Sequence, residues 1–468
     1  MANFYCIIKP GPGSRLRSLQ PKYPLASFLL TLVLYSSGLN AQQSTASGSI
    51  LSQMVYSLKK ELVDVYYPAN IDTAFGGYLS SFSYDFKPFG SQDKMIVTQA
   101  RHLWTTSKAA ILYKDSSYLK MARHGYSFLK DKMWDEKFGG FYTLVTRQGE
   151  MKSVNKEAYG NAFGIYSLAA YYEASHDKSA LQLAKKAFAW LEKNSHDPVH
   201  LGYFQHLERN GRPIKRPSST PSTSDLGYKD QNSSIHLLEA FTELYAVWPD
   251  PLLKKRLREM LLLIRDTMVQ KKGYLQLFFF PDWRPVAFQD SARDEILKNR
   301  YIDHVSFGHD VETAYLMKEA SEILGEPEDI NSKTMLKGKL MVDHALANGW
   351  DNLRGGFYDQ GYYFKDSDTI TILKKSKNWW TQAEGLNTLL IFSKLYPADK
   401  MEYQKKFSLL WQYTQVYLID HQYGDWYEEG LDINPERKTS NKAHIWKAAY
   451  HNFRSLNNCI KLMQQLKE

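Results

Sequence analysis

Cysteine is nearly absent: the chain has two among 468 residues. One of these, Cys6, falls in the first stretch, leaving Cys459 alone in the rest. That excludes a disulfide-stapled scaffold and any cysteine-based zinc centre. Long apolar runs are also missing, since the stretch Leu25 to Tyr35 is too short for a permanent bilayer anchor. Basic clusters interleaved with aromatics are lacking too, so a formal charge of +9 does not point to nucleic acid.

The N-terminus reads as an address. Arg15, Arg17 and Lys22 precede the apolar run, and small and polar residues follow it to Leu39-Asn40-Ala41. This is the pattern of a secretory signal in residues 1–41, with cleavage expected after Ala41 and contact with a membrane only through this segment. Its removal takes away Lys9, Arg15, Arg17 and Lys22 and no acid, lowering the formal charge from +9 to +5. Export with one thiol suits the periplasm or the exterior of a cell.

What the chain has in quantity is aromatic residues, 14% of the total, with 32 Tyr and 11 Trp. Most serve core packing, and the excess fits a carbohydrate site, where sugar faces stack on rings. A glycine followed closely by an aromatic recurs six times: Gly77-Tyr78, Gly140-Phe141, Gly202-Tyr203, Gly273-Tyr274, Gly356-Phe357 and Gly424-Asp425-Trp426. Recurrence at intervals of 62 to 83 residues marks a repeat architecture. In each unit a helical segment precedes the glycine turn. A polar loop follows, and then a second, more apolar helix. The second helices are expected at 104–112, 162–174, 234–247, 311–324, 381–395 and 450–465. Twelve helices in six hairpins predict an all-α fold, an (α/α)6 barrel with the apolar helices inside, as a single domain over 45–468 acting as a monomer; an open superhelix is the alternative, and the lack of a polar capping repeat favours closure.

Polar residues gather where the inner helices start. Arg101 and Trp104 open the first and Tyr159 and Asn161 the second. Asn232 and His236 open the third, His309 and Glu312 the fourth. Trp379, Trp380 and Glu384 open the fifth, and Trp446 and His451 the sixth. One such residue would be a helix cap or a core hydrogen bond. Six sets at one end of a barrel make a pocket, rimmed by helix N-termini whose free N–H groups favour an anion. Histidines on different helices offer a base and an acid to opposite faces of one carbon, and Arg101 can steady an oxyanion. For Arg101, Tyr159 and Glu384 a buried Arg–Glu pair is the structural alternative. The adjacent Trp379 and Trp380 cannot face the same way on a helix, so one belongs to the core.

In order along the chain, Asp230-Gln-Asn-Ser-Ser-Ile-His236-Leu-Leu-Glu239, Phe307-Gly-His309-Asp-Val-Glu312, Asn378-Trp-Trp-Thr-Gln-Ala-Glu384 and Trp446-Lys-Ala-Ala-Tyr-His451-Asn-Phe-Arg454 resemble the acylglucosamine/cellobiose 2-epimerase superfamily. The Gly-His-Asp and Gln-Ala-Glu forms lean towards its cellobiose (mannobiose) branch, and the likeness covers nearly all of 50–465. It implies an (α/α)6 barrel and reversible inversion at C2 of a reducing-end sugar through a cis-enediol. The resemblance assigns His309 and His451 as the proton-transferring pair and His236 to ring opening. Arg101, Tyr159, Asn232, Glu312 and Glu384 would hold the sugar or orient a histidine, and Trp379 or Trp380 and Trp446 would stack on it. No cofactor and no metal are implied. The chain departs from the pattern at Ala448-Ala449, where the family has a proline, and in its long charged loop before His309. These departures leave the sugar open, between a β-1,4 disaccharide, an N-acylglucosamine, and mannose or glucose.

Three other readings compete. His236-x-x-Glu239 and His309-x-x-Glu312 offer metal-ligand types on adjacent helices, in the reverse order of the helical di-iron motif. A glycoside hydrolase needs two carboxylates across the scissile bond, and Glu312 and Glu384 are the pair on offer. A non-catalytic glycan-binding protein would use the same aromatics but exchange no C2 hydrogen with solvent.

Overall fold

A computed structural model describes residues 49–365 and 367–465. The segment read as a secretory signal, residues 1–41, lies outside the described residues, and the described residues fall in one compact unit. The chain builds six outer helical runs, α1 (50–66), α3 (116–133), α5 (Lys178–Asn194), α7 (251–268), α9 (Glu328–Asn348) and α11 (Tyr403–Tyr417). They alternate with six inner helices, α2 (Ile96–Tyr113), α4 (Ala158–Ser175), α6 (Gln231–Val247), α8 (Phe307–Leu324), α10 (Trp379–Leu395) and α12 (Tyr450–Gln465). Each inner helix packs on the next, and α12 packs back on α2, which closes the (α/α)6 barrel. The first outer run, α1, lies against α12. That closure is fastened by Trp411 Nε1 donating to Gln53 at 2.7 Å and Tyr66 donating to Asp425 at 3.0 Å. Among the described residues no helix is long and apolar enough to cross a membrane.

Burial explains which helices go inside. In α4 every residue from Ala158 to Tyr171 is buried, so the helix shows no polar face and must be surrounded. In α5 burial recurs at Ala180, Leu183, Ala184, Ala187, Phe188 and Leu191, the three-and-four spacing of a helix with one wet side. Inner-to-outer connections are short. Lys114 and His176 end α2 and α4 in left-handed conformation, and Asp115 and Asp177 then cap α3 and α5. Outer-to-inner connections are long and lie at the end where the inner helices begin.

The inner helices start earlier than the apolar pattern predicts, at Ile96, Ala158, Gln231, Phe307 and Trp379. Their first turns carry buried polar residues such as Thr98, Gln99, Arg101 and His102, which an apolar count skips. Arg101 and His309 therefore sit inside helices, whereas Trp446 lies in the turn ahead of α12.

The long connections share a clip that the sequence reading missed. Six residues before the turn aromatic stands an aspartate, and two residues before the inner helix stands a lysine. Lys94 meets Asp72 at 2.9 Å, Lys156 meets Asp135 at 3.0 Å, Lys229 meets Asp197 at 2.7 Å and Lys377 meets Asp351 at 2.7 Å. In the sixth unit the lysine stands further ahead of the helix, with Lys442 eight residues before α12 bonding Asp420 at 2.6 Å. The lysines also donate to turn carbonyls, as Lys229 does to Leu201 at 2.8 Å. In the fourth unit Met268 and Val305, both buried, occupy the two places. The turn glycines have positive φ, 67° at Gly77 and 72° at Gly140, where a Cβ would strike the Phe128 and Trp190 rings.

Candidate active site

Three histidines rise from the first two turns of α6, α8 and α12, and each is tied through Nδ1. His236 Nδ1 is 2.8 Å from Glu239, His451 Nδ1 is 2.6 Å from Glu384, and His309 Nδ1 is 2.9 Å from the Ser306 hydroxyl. A carboxylate can only accept, so His236 and His451 donate from Nδ1 and keep the Nε2 lone pair as a base. Burial holds the imidazoles neutral. It drives His309 down to about 3, helped by repulsion from His236 and His304. His236 and His451 are also well below the ordinary range, from burial first and then the nearby Arg101.

The Trp380 ring neighbours two of these imidazoles, with centroids 4.8 Å from His309 and 5.9 Å from His451. Gly308 makes room for it, since a Cβ there would stand 2.5 Å from the indole. Trp379 turns into the barrel core and is buried. Tyr159 lies edge-on to His236 at 5.3 Å, and the amide of Asn232 interacts with the Tyr159 hydroxyl. Trp446 is half exposed at the rim, and its carbonyl accepts from Arg101 at 3.1 Å.

Beneath the histidines, one guanidinium holds three carboxylates. Arg454 donates to Glu239, to Glu312 at 2.5 Å and to Glu384 at 2.8 Å, and all four residues are buried. Tyr450 donates to Glu239 at 2.5 Å and Tyr315 to Glu384 at 2.7 Å. One cation cannot neutralise three anions. Burial pushes Glu312 up to about 8 against the pull of Arg101, and burial plus repulsion from Glu312 raises Glu384. The buried Arg–Glu pairing that the sequence allows for Arg101 is made by Arg454 instead. Arg101 is buried, donates to Tyr159 at 3.2 Å, and has no carboxylate partner among the described residues.

Arg454 and Tyr315 were not among the site residues expected from sequence, and Glu239 entered only as a candidate metal ligand. A signal for Arg454 and Glu239 existed: His236/Glu239, His309/Glu312 and His451/Arg454 are all three apart, so each helix sets a charged group one turn below its histidine.

This geometry bears on the competing chemistries. Glu312, Glu384 and His451 bring ligand atoms within 4.8 Å of one another. The Arg454 guanidinium already bonds both carboxylates, so a second cation would meet a like charge there. The same clamp ties Glu312 and Glu384 together, whereas a hydrolase needs them on either side of a glycosidic bond.

A profile of the N-acylglucosamine 2-epimerase (GlcNAc 2-epimerase) family matches residues 77–455. A cellobiose 2-epimerase of Bacteroides fragilis is 28% identical over 414 residues, covering 88% of this chain and 98% of that protein. A D-mannose isomerase of Marinomonas mediterranea is 24% identical over 409 residues, covering 86% of this chain and 94% of that protein. The solved cellobiose 2-epimerase of Spirochaeta thermophila superposes with a TM-score of 0.74 at 27% identity, covering 89% of this chain and 98% of that one. Fold and likeness together define a carbohydrate epimerase or isomerase built on an (α/α)6 barrel. The chain belongs to the N-acylglucosamine 2-epimerase family, on its cellobiose 2-epimerase side.

Proposed function

We propose that this carbohydrate 2-epimerase inverts C2 of the reducing-end sugar of a β-1,4-linked disaccharide of the cellobiose or mannobiose type. The observation that carries the reading is that His309 and His451, each tied through Nδ1, neighbour the same indole beside a buried arginine with no carboxylate partner among the described residues. His236, polarised by Glu239, assists ring opening. One of the pair His309 and His451 removes the C2 proton through Nε2, leaving an enediolate whose oxygen charge Arg101 offsets. Tyr159, Asn232 and Glu312 hold the O1/O2 region. The planar intermediate turns, the other histidine protonates the opposite face, and the ring closes. Trp380 stacks on the reacting sugar, and the exposed Trp446 ring is placed for the second one.

The test is incubation with cellobiose, mannobiose and N-acetylglucosamine in D₂O. Deuterium at C2 of an epimerised disaccharide is expected, and its absence from every product would refute the acid/base reading. His309→Ala and His451→Ala are each expected to lower kcat by roughly a thousandfold or more while keeping the fold. The likeness to a mannose isomerase favours a second reading, in which the same enediol is reprotonated at C1; a ketose product would distinguish it. We also propose export with cleavage after Ala41, to be tested by N-terminal sequencing of the mature protein.

A further inference from the structure

We infer that Tyr315 is a positioning residue for proton transfer at His451, acting through Glu384. This rests on the proposed acid/base role of His451. Tyr315 is fully buried on α8, below His309 on the same helix. Its hydroxyl donates to Glu384 Oε2 at 2.7 Å. The other oxygen, Oε1, faces His451 Nδ1 at 2.6 Å and Arg454 at 2.8 Å. Among the described residues these three are the hydrogen-bond and ion-pair partners of Glu384.

A carboxylate turns freely about its last bond unless both oxygens are held. Pinning Oε2 from α8 sets the direction in which Oε1 meets the imidazole on α12. The Tyr315 ring also lies under the Arg454 guanidinium, with its centroid 5.5 Å away, and so supports the second ligand of Oε1. The helix that carries His309 thereby aligns His451 as well, and a small shift of α8 would displace both bases together.

Other charges facing Glu384 are Glu312 and Glu319 from α8 and Arg101 from α2. Glu312 and Glu319 disfavour its ionised form and Arg101 favours it. A tyrosine that donates to the ionised carboxyl favours that form, so its loss leaves the carboxyl protonated up to higher pH. A protonated Glu384 no longer holds the Nδ1–H of His451 in place.

The experiment is Tyr315→Phe, which keeps the ring under Arg454 and removes only the hydroxyl. Expected is a kcat loss of roughly ten- to a hundredfold with KM little changed, and an acid limb of the pH–rate profile moved up by roughly one to two units. A purely structural role would lower the unfolding midpoint and leave the limb in place, and that result would overturn the inference. Should Tyr315→Phe not fold, 3-fluorotyrosine placed at position 315 alone makes the same bond with a more acidic phenol. The limb is then expected to move down, and an unmoved limb would overturn the inference. Failure of the underlying reading shows separately, as wild-type protein that leaves no deuterium at C2.

Discussion

The rim and the centre of the barrel bury charge in opposite ways. At the rim each clip lysine has its aspartate, and Lys94, Lys156, Lys229 and Lys377 also donate to turn or loop carbonyls. At the centre one arginine serves three carboxylates, and a second arginine, Arg101, has no carboxylate partner among the described residues. The rim clips are self-satisfied and hold inner helices to turns. The centre is unbalanced, and imbalance of this kind shifts pKa values where chemistry is done. The fourth unit shows that a clip is dispensable. Met268 and Val305 pack where charges pair elsewhere, as expected if a well-packed apolar pair can replace a buried ion pair at little cost. Its inner helix still reaches the turn through Asp310, which accepts from the Leu275 backbone at 2.9 Å. Burial keeps that carboxyl protonated far above the usual range, so it acts like the neutral Asn161 and Gln382 that bond the turns of other units.

The largest effect should come from the centre. Arg454→Met leaves Glu239, Glu312 and Glu384 without their shared cation, and is expected to cost about 3–5 kcal/mol of stability at pH 8 and nearly all activity. With folded-state pKa values raised above the unfolded ones, the folded mutant binds more protons. Its stability deficit should therefore shrink as pH falls from 8 to 5, as measured by urea unfolding. A deficit that grows towards pH 5 would contradict the unbalanced centre.

Breaking one clip should cost less in activity and nearly as much in stability. Lys229→Met strands Asp197 and is expected to lose about 3 kcal/mol with KM unchanged, while adding Asp197→Leu should restore most of the loss. Single and double mutants of equal stability would show that the lysine, and not the pairing, matters. The smallest effect should follow from grafting a clip into the fourth unit. Met268→Asp with Val305→Lys is expected to change stability by less than about 1 kcal/mol, since pairing and desolvation nearly cancel. A gain of several kcal/mol would mean that the fourth unit gave up stability at the helix carrying His309.

The clips also explain what could be read in advance and what could not. The turn glycines were visible because a positive φ selects glycine. The aspartates and lysines were not, because a charged residue in a loop reads as solvated unless its partner is known. Asp197 and Lys229 are 32 residues apart, and no local pattern joins them. Likewise, an apolar count placed the inner-helix starts late, because their first turns bury Thr, Gln, Arg and His against partners from other units.

Period and spacing along the chain were enough to determine six helix pairs and a polar end to which His236, His309 and His451 belong. These are local properties, since a helix shows which residues share its face without reference to any other helix. Only the tertiary structure decided that Arg454, and not Arg101, bonds the glutamates, and that Tyr315 reaches across to Glu384. Such choices depend on distances between groups up to 215 positions apart in sequence, which only packing sets.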